Sequence, residues 1–173
     1  MVHEPEAPMG VVSALVRSAF LVDATYEHTA RKHNLTSQQG QLLCVLMGQP
    51  VEGFGMGELV RVLGLAKSSL TGLVDRSLRR GLVRREADST DGRAVRVFLT
   101  EEGHKVAGEF YDETVAAVAE LADTLSETEQ HQLTELLGRL VLENHVPVVF
   151  EDKPGQEAAE DVLCEGKSGT SSD

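Results

Sequence analysis

Between Gly64 and Gly81 the chain carries a segment whose two faces cannot both be buried. Leu70, Leu73, Val74 and Leu78 recur at spacings of three, one and four, one stripe of a helix running from about Lys67 to Arg80. Lys67, Ser68, Thr71, Asp75, Arg76 and Arg79 fall largely on the opposite side. Such a helix docks by its apolar stripe and leaves a row of cationic and hydrogen-bonding groups facing outward. Gly72 interrupts it at a cost of roughly 1 kcal/mol against alanine, either for a close backbone approach or as tolerated drift.

Three further helices precede this segment. Val12, Leu15, Val16, Ala19, Phe20 and Val22 give helical spacing to a long first helix over 11–32. Thr36 followed by Gln39 is a capping-box pattern, and Leu42, Leu43, Val45 and Leu46 continue it into a second helix ended by Gly48 and Pro50. Gly53, Gly55 and Gly57 make a turn-rich connection to a short third helix carrying Leu59, Val60 and Leu63, stopped by Gly64. After the polar-faced fourth helix, Leu82–Ala87 and Ala94–Leu99 read as two strands of a hairpin, with Asp91-Gly92 supplying the turn. Thr100 caps a fifth helix with acids in its first turn, expected to run to about residue 125 through Val106, Phe110, Val118, Leu121 and Leu125. Ser126 and Glu129 form a second capping box for a sixth helix bearing Leu133, Leu136, Leu137, Leu140 and Val141, which Pro147 ends.

The fold class expected is therefore mainly α with a small β-hairpin wing. A flexible arm over 1–10 and an acidic tail over 147–173, with the composition of a disordered segment, flank a single domain over 11–146. The longest uninterrupted apolar stretch, Leu42–Gly48, is far short of the ~20 residues that a membrane span needs. The chain opens without a basic region leading into an apolar one, so a cytoplasmic, reduced protein is expected, with no membrane partner. Aromatic residues make up only 4% of the chain, which calls for a core of Leu, Val and Ala.

A net charge of −12 argues at first against nucleic acid, but its distribution reverses that inference. Residues 61–96 hold nine basic groups against four acidic ones, a local +5, and leave −17 on the rest of the chain. A basic stripe on an acidic body can hold phosphates in one place and repel them elsewhere, although charge alone fits a solvated helix face equally well. Position decides between them. Helix, helix, short helix, polar-faced helix and hairpin is the order of a winged helix-turn-helix, and the stripe falls on its third and fourth helices and its hairpin.

At these residues the chain resembles the MarR family of bacterial transcriptional regulators. The resemblance is carried by Gly57-Glu58-Leu59 through Leu63-Gly64-Leu65, Lys67-Ser68-Ser69-Leu70-Thr71, Leu73-Val74-Asp75-Arg76, Gly81-Leu82-Val83-Arg84-Arg85, Asp91-Gly92-Arg93 and Leu99-Thr100-Glu101-Glu102-Gly103. It implies a winged helix-turn-helix over 36–100 and long dimerisation helices over 11–33 and 101–146, assembled as a homodimer on a pseudo-palindromic site in double-stranded DNA. Repression is the family's commoner mode. The terminal helices hold more apolar surface than so small a core can cover, which agrees with burial against a partner chain.

Residue by residue, Ser68, Ser69 and Thr71 can donate to phosphates or base edges, and Lys67 stands near the helix start to meet the backbone. Arg76 has the reach for guanine, while Asp75 beside it is a competing partner for an arginine. Arg84 and Arg85 alternate across a strand, so at most one faces DNA well, and Arg96, in the same basic stripe, is counted with them as a DNA-binding residue. By resemblance Arg93 is the wing-tip arginine of the minor groove, with Asp91 holding the turn. The chain departs from the family at Ala66, where a serine cap is common, and at Gly92, where a second arginine often stands.

The resemblance also implies a small-molecule effector, an aromatic or phenolic anion bound between the dimer helices and the DNA-binding lobe. Arg17, Phe20, Tyr26, His28 and Arg31 are candidates to line its site. Two sensors on the same fold compete with it: a redox response through Cys44, in an apolar run with no neighbouring cation, and a metal response through His28 or His33 with His104. A winged helix used for protein contacts without DNA is the remaining alternative. There is no histidine pair at ligand spacing, no phosphate-cradling glycine loop and no nucleophile elbow, so neither an enzyme nor a cofactor is expected.

Overall fold

The computed structural model describes residues 9–48, 53–88 and 94–146. Helix α1 spans Val11–Lys32, α2 Ser37–Met47, α3 Met56–Leu63, α4 Lys67–Arg79, α5 Glu101–Ala119 and α6 Glu127–Glu143. Strands β1 (Phe54–Gly55), β2 (Val83–Ala87) and β3 (Val95–Leu99) form an antiparallel sheet in the order β1-β3-β2.

The caps form where the local chemistry puts them. Thr36 and Gln39 close the expected box, with Thr36 Oγ1 accepting from the Gln39 amide at 3.2 Å and Gln39 Oε1 accepting from the Thr36 amide at 3.1 Å. Thr100 Oγ1 accepts from the Gly103 amide at 2.9 Å, and Ser126 with Glu129 begins α6. At Ala66 no side chain caps α4.

The hairpin pairs Val83 with Leu99 through to Ala87 with Val95, and β3 is its central strand because β1 adds on the other edge. This third strand is not foreseen in the glycine-rich connection. It exists because Phe54 pairs with Val97 and buries its ring, while Gly53 at φ +64 lets the chain pass against the Phe98 ring.

The core lies where α2, α3, α4, α5 and β3 converge. Leu42, Leu43, Leu59, Leu70, Leu73, Val74, Val97 and Phe110 are fully buried in it. Two sequence expectations need correction here. Leu78 is exposed, and Ser77 takes the buried position on α4, with its hydroxyl donating to the Leu73 carbonyl at 3.0 Å. The fifth helix stops at Ala119, and a 3₁₀ turn over Glu120–Ala122 follows where continuous helix was expected.

Phe110 is the hub between α1 and the lobe, with Tyr26 edge-on at 5.1 Å and His33 edge-on at 6.0 Å. Thr29 and Thr114 join α1 to α5 by a buried hydrogen bond of 3.0 Å, and Glu113 receives Lys32 at 3.1 Å and His33 at 2.6 Å. The first half of α1 makes no use of that core: Val12 and Phe20 are 73% and 71% exposed. Helix α6 has no buried residue, and Leu136 and Leu142 stand open. Among the described residues no helix is long and apolar enough to cross a membrane. The arm over 1–8, the wing tip with Asp91 and Arg93, and the tail over 147–173 lie outside the described residues.

Candidate nucleic-acid interface

Helix α3 ends at Gly64, whose left-handed backbone (φ +64) turns the chain into α4. Leu70, Leu73, Val74 and Ser77 pin α4 to the lobe by one side. The other side is open: Lys67, Ser68, Ser69, Thr71, Arg76 and Arg79 are all exposed. Thr71 Oγ1 donates to the Lys67 carbonyl at 2.9 Å, leaving its oxygen lone pairs outward, while Ser68 and Ser69 stand at the start of the helix. With no acid in the first turn of α4, its positive dipole end faces out unmasked.

The strand arginines are each engaged. Arg85 Nη2 pairs with Asp75 Oδ1 at 2.7 Å, so the carboxylate beside Arg76 is taken by the wing rather than by Arg76. Arg84 lies over the Phe98 ring at 4.5 Å and pairs with Glu86, which leaves the cation displayed on the sheet's outer side. Arg96 turns inward. Its Nε pairs with Asp88 Oδ2 at 2.7 Å, its Nη1 donates to the Gly53 carbonyl at 2.8 Å, and Glu58 Oε2 lies 3.7 Å away. Glu58 in turn accepts from the Gly55 amide at 2.7 Å, so Arg96 braces the wing against β1 and α3. That bracing role was not legible in a basic residue counted with the stripe.

Arg17 and His28, and likewise Phe20 and Arg31, are eleven residues apart on α1, about three turns, and share its exposed side. Tyr26 points the other way, into the lobe, where its hydroxyl meets Cys44 Sγ at 3.9 Å. Burial raises both groups: the Tyr26 hydroxyl goes well above its ordinary range, and the Cys44 thiol is pushed up to about 11, with the Tyr26 contact pulling slightly downward. A thiol held there is almost wholly protonated at neutral pH and is a poor redox nucleophile. Among the described residues no three His, Cys, Asp or Glu side chains gather to ligate a metal.

Arg79, which the helical period places on the outward row, and Arg80, known from sequence only as a member of the basic stripe, are not among the site residues expected above. Together with Arg76, Asn34 and Gln39 they line an open depression beside α4. Arg79 follows Ser68 by eleven residues, the same three-turn relation, and that spacing was the signal available for it.

A three-stranded sheet whose β2–β3 hairpin forms a wing, beside a helix pinned on one side and polar on the other, makes this a winged helix-turn-helix protein. A family model described as MarR family matches residues 33–94. The HTH-type transcriptional regulator PecS of Dickeya dadantii is 30% identical over 77% of this chain and 81% of its own length. The homoprotocatechuate degradative operon repressor of Escherichia coli is 27% identical over 74% of this chain and 85% of its own. Among solved structures, CouR from Rhodococcus jostii RHA1 bound to p-coumaroyl-CoA matches with a TM-score of 0.65 at 25% identity, covering 75% of this chain and 90% of that one. The chain belongs to the MarR family.

Proposed function

We propose that this protein is a sequence-specific regulator of transcription that binds double-stranded DNA as a homodimer and represses. The observation that carries this reading is α4, which Leu70, Leu73, Val74 and Ser77 fix to the core while Lys67, Ser68, Ser69, Thr71 and Arg76 remain outward and in part cationic. In the proposed complex α4 enters the major groove, Arg84 approaches the backbone from the wing while Arg85 holds Asp75, and Arg93, with Asp91 holding the turn, reaches the minor groove. Arg96 supports that wing from behind. The relative named as an operon repressor supports the direction of regulation.

The dimer reading rests on the open apolar rows of α1 and α6, from Val11, Val12, Val16 and Phe20 to Leu136, Leu140 and Leu142. A second copy covers such surface by the same residues on both sides. Sedimentation equilibrium checks this directly, with twice the chain mass expected at micromolar concentration. Nuclease footprinting on the protein's own upstream DNA tests the DNA reading: two protected half-sites about one helical turn apart are expected, and uniform protection along the fragment would sink it.

The effector we propose is a small aromatic anion, held near the exposed α1 side that carries Arg17, Phe20, His28 and Arg31, with Tyr26 behind it. CouR, with its bound p-coumaroyl-CoA, supports a ligand of aromatic character. Such a ligand acts by binding one arrangement of the two lobes more tightly than the other. Absence of any thermal stabilisation across a panel of aromatic acids would remove it.

A further inference from the structure

On the flank of α4 turned away from the wing, Arg76, Arg79, Arg80, Asn34 and Gln39 line an open depression of about 400 Å³. Its cations are arranged without an acid. Arg80 is held in place by its own hydrogen bonds, with Nη1 donating to the Asn34 carbonyl at 2.6 Å and to Gln39 Oε1 at 3.5 Å. Arg76 and Arg79 have no acidic partner among the described residues. Gln39 is only 4% exposed, and its orientation is fixed because its oxygen accepts from the Thr36 amide. Its oxygen accepts from Arg80 as well, so the carboxamide helps to hold that guanidinium at the wall of the depression. Three guanidinium groups with no carboxylate among the lining residues leave the site short of negative charge. A tetrahedral oxyanion supplies it, and arginine's planar fork matches such an anion in pairs.

Position indicates the source of that oxyanion. Consecutive residues point about 100° apart around a helix, so Asp75 turns to the wing, where Arg85 holds it, Arg76 and Arg80 turn to the other flank, and Arg79 stands between them in line with Ser68. A duplex lying against α4 has one backbone on each flank. We propose that the Arg76–Arg79–Arg80 depression is a phosphate site, and that in the DNA complex it grips the backbone on the side opposite the wing. This rests on the DNA reading above, deepening it by assigning the far edge of the outward row, together with Arg80, to a backbone phosphate.

The test uses the full chain and the exposed Arg79→Gln variant, with Arg139→Gln on α6 as the distant control. Anisotropy titrations on the upstream duplex across a salt series are expected to show about fivefold weaker binding for Arg79→Gln and a log–log salt slope lower by about one, with Arg139→Gln unchanged. In parallel, melting in inorganic phosphate is compared with chloride at equal ionic strength. A phosphate-specific rise in the parent that Arg79→Gln loses supports the site and, when the duplex slope is unaffected, assigns it to a free phosphate-bearing molecule. A changed slope without that rise supports the site with the duplex as source. An unchanged slope together with no phosphate-specific stabilisation overturns the proposal. Failure of the parent to bind any duplex retires the DNA reading instead, and the melting comparison then decides the depression alone.

Discussion

Asp75 on α4 and Arg85 on β2 meet at 2.7 Å, so the helix offered to the groove and the strand that carries the wing are joined by one ion pair. Both side chains remain about a third exposed or more, which limits the pair's share of stability to about 0–1 kcal/mol. Its effect is on geometry. Asp75→Asn should shift the melting temperature by at most about 3 °C. The same change frees Arg85 and removes a negative charge from the α4 face. Affinity for scrambled duplex should then rise while discrimination between specific and scrambled DNA falls, as read by competition anisotropy.

Arg96 has the opposite balance. With Asp88 at 2.7 Å, the Gly53 carbonyl at 2.8 Å and Glu58 nearby, it closes the hairpin and ties it to the distant stretch from Gly53 to Glu58. Arg96→Leu leaves those acceptors without their donor and should cost about 2 kcal/mol. Urea unfolding should show a lower midpoint at unchanged m-value. Arg96→Lys should recover only part of the loss, because a point ammonium lacks the fork that spans them.

Two glycine-to-alanine changes should act in opposite directions. At Gly103 an added Cβ would fall on the Leu82 backbone carbonyl, so α5 and the sheet must move apart. That change should destabilise by about 3 kcal/mol or more. At Gly72 the nearest atom is the mobile end of Arg76 at 3.2 Å, which can swing aside. Gly72→Ala should stabilise by roughly 0.5–1 kcal/mol through helix propensity. Melting curves of the two variants check both signs in one experiment.

Glu113 links α5 to the end of α1, and its carboxyl is held below the usual carboxylate range by the hydrogen bond from Lys32 first and from His33 second. A folded-state value below the unfolded one means that the contribution is present above the ordinary value of 4.5 and disappears as pH falls through the folded value. Glu113→Gln should therefore melt below the parent at about pH 6, and the two should converge at about pH 3. A gap that persists unchanged in acid would show that the carboxylate charge is not the cause.

Much of this architecture is written in short stretches of sequence. Thr36 with Gln39, Thr100 with Gly103 and Ser126 with Glu129 act within one helical turn, so their identities alone mark where helices begin. The exposed row on α4 follows from its period in the same way. What lies across longer distances was not legible. Phe54–Gly55 is a strand only because Val97 and Arg96 are opposite it, and Arg96 reads as one more surface cation until Asp88 and Gly53 are brought to it. Leu78 misled by its chemistry: the buried stripe of α4 is completed by Ser77, whose hydroxyl is satisfied by its own helix. Tyr26 could not be assigned to a wall of α1 before Phe110 and Cys44 were placed opposite it.

The central claim is that α4 and the wing read DNA. Fluorescence anisotropy of the purified protein on its own upstream duplex, with scrambled competitor and at two salt concentrations, tests it most directly. The account predicts tight binding that survives the competitor and weakens steeply as salt rises, because several arginines release counterions on contact. Absence of binding at either salt would contradict it and turn attention to a protein partner for the same basic face.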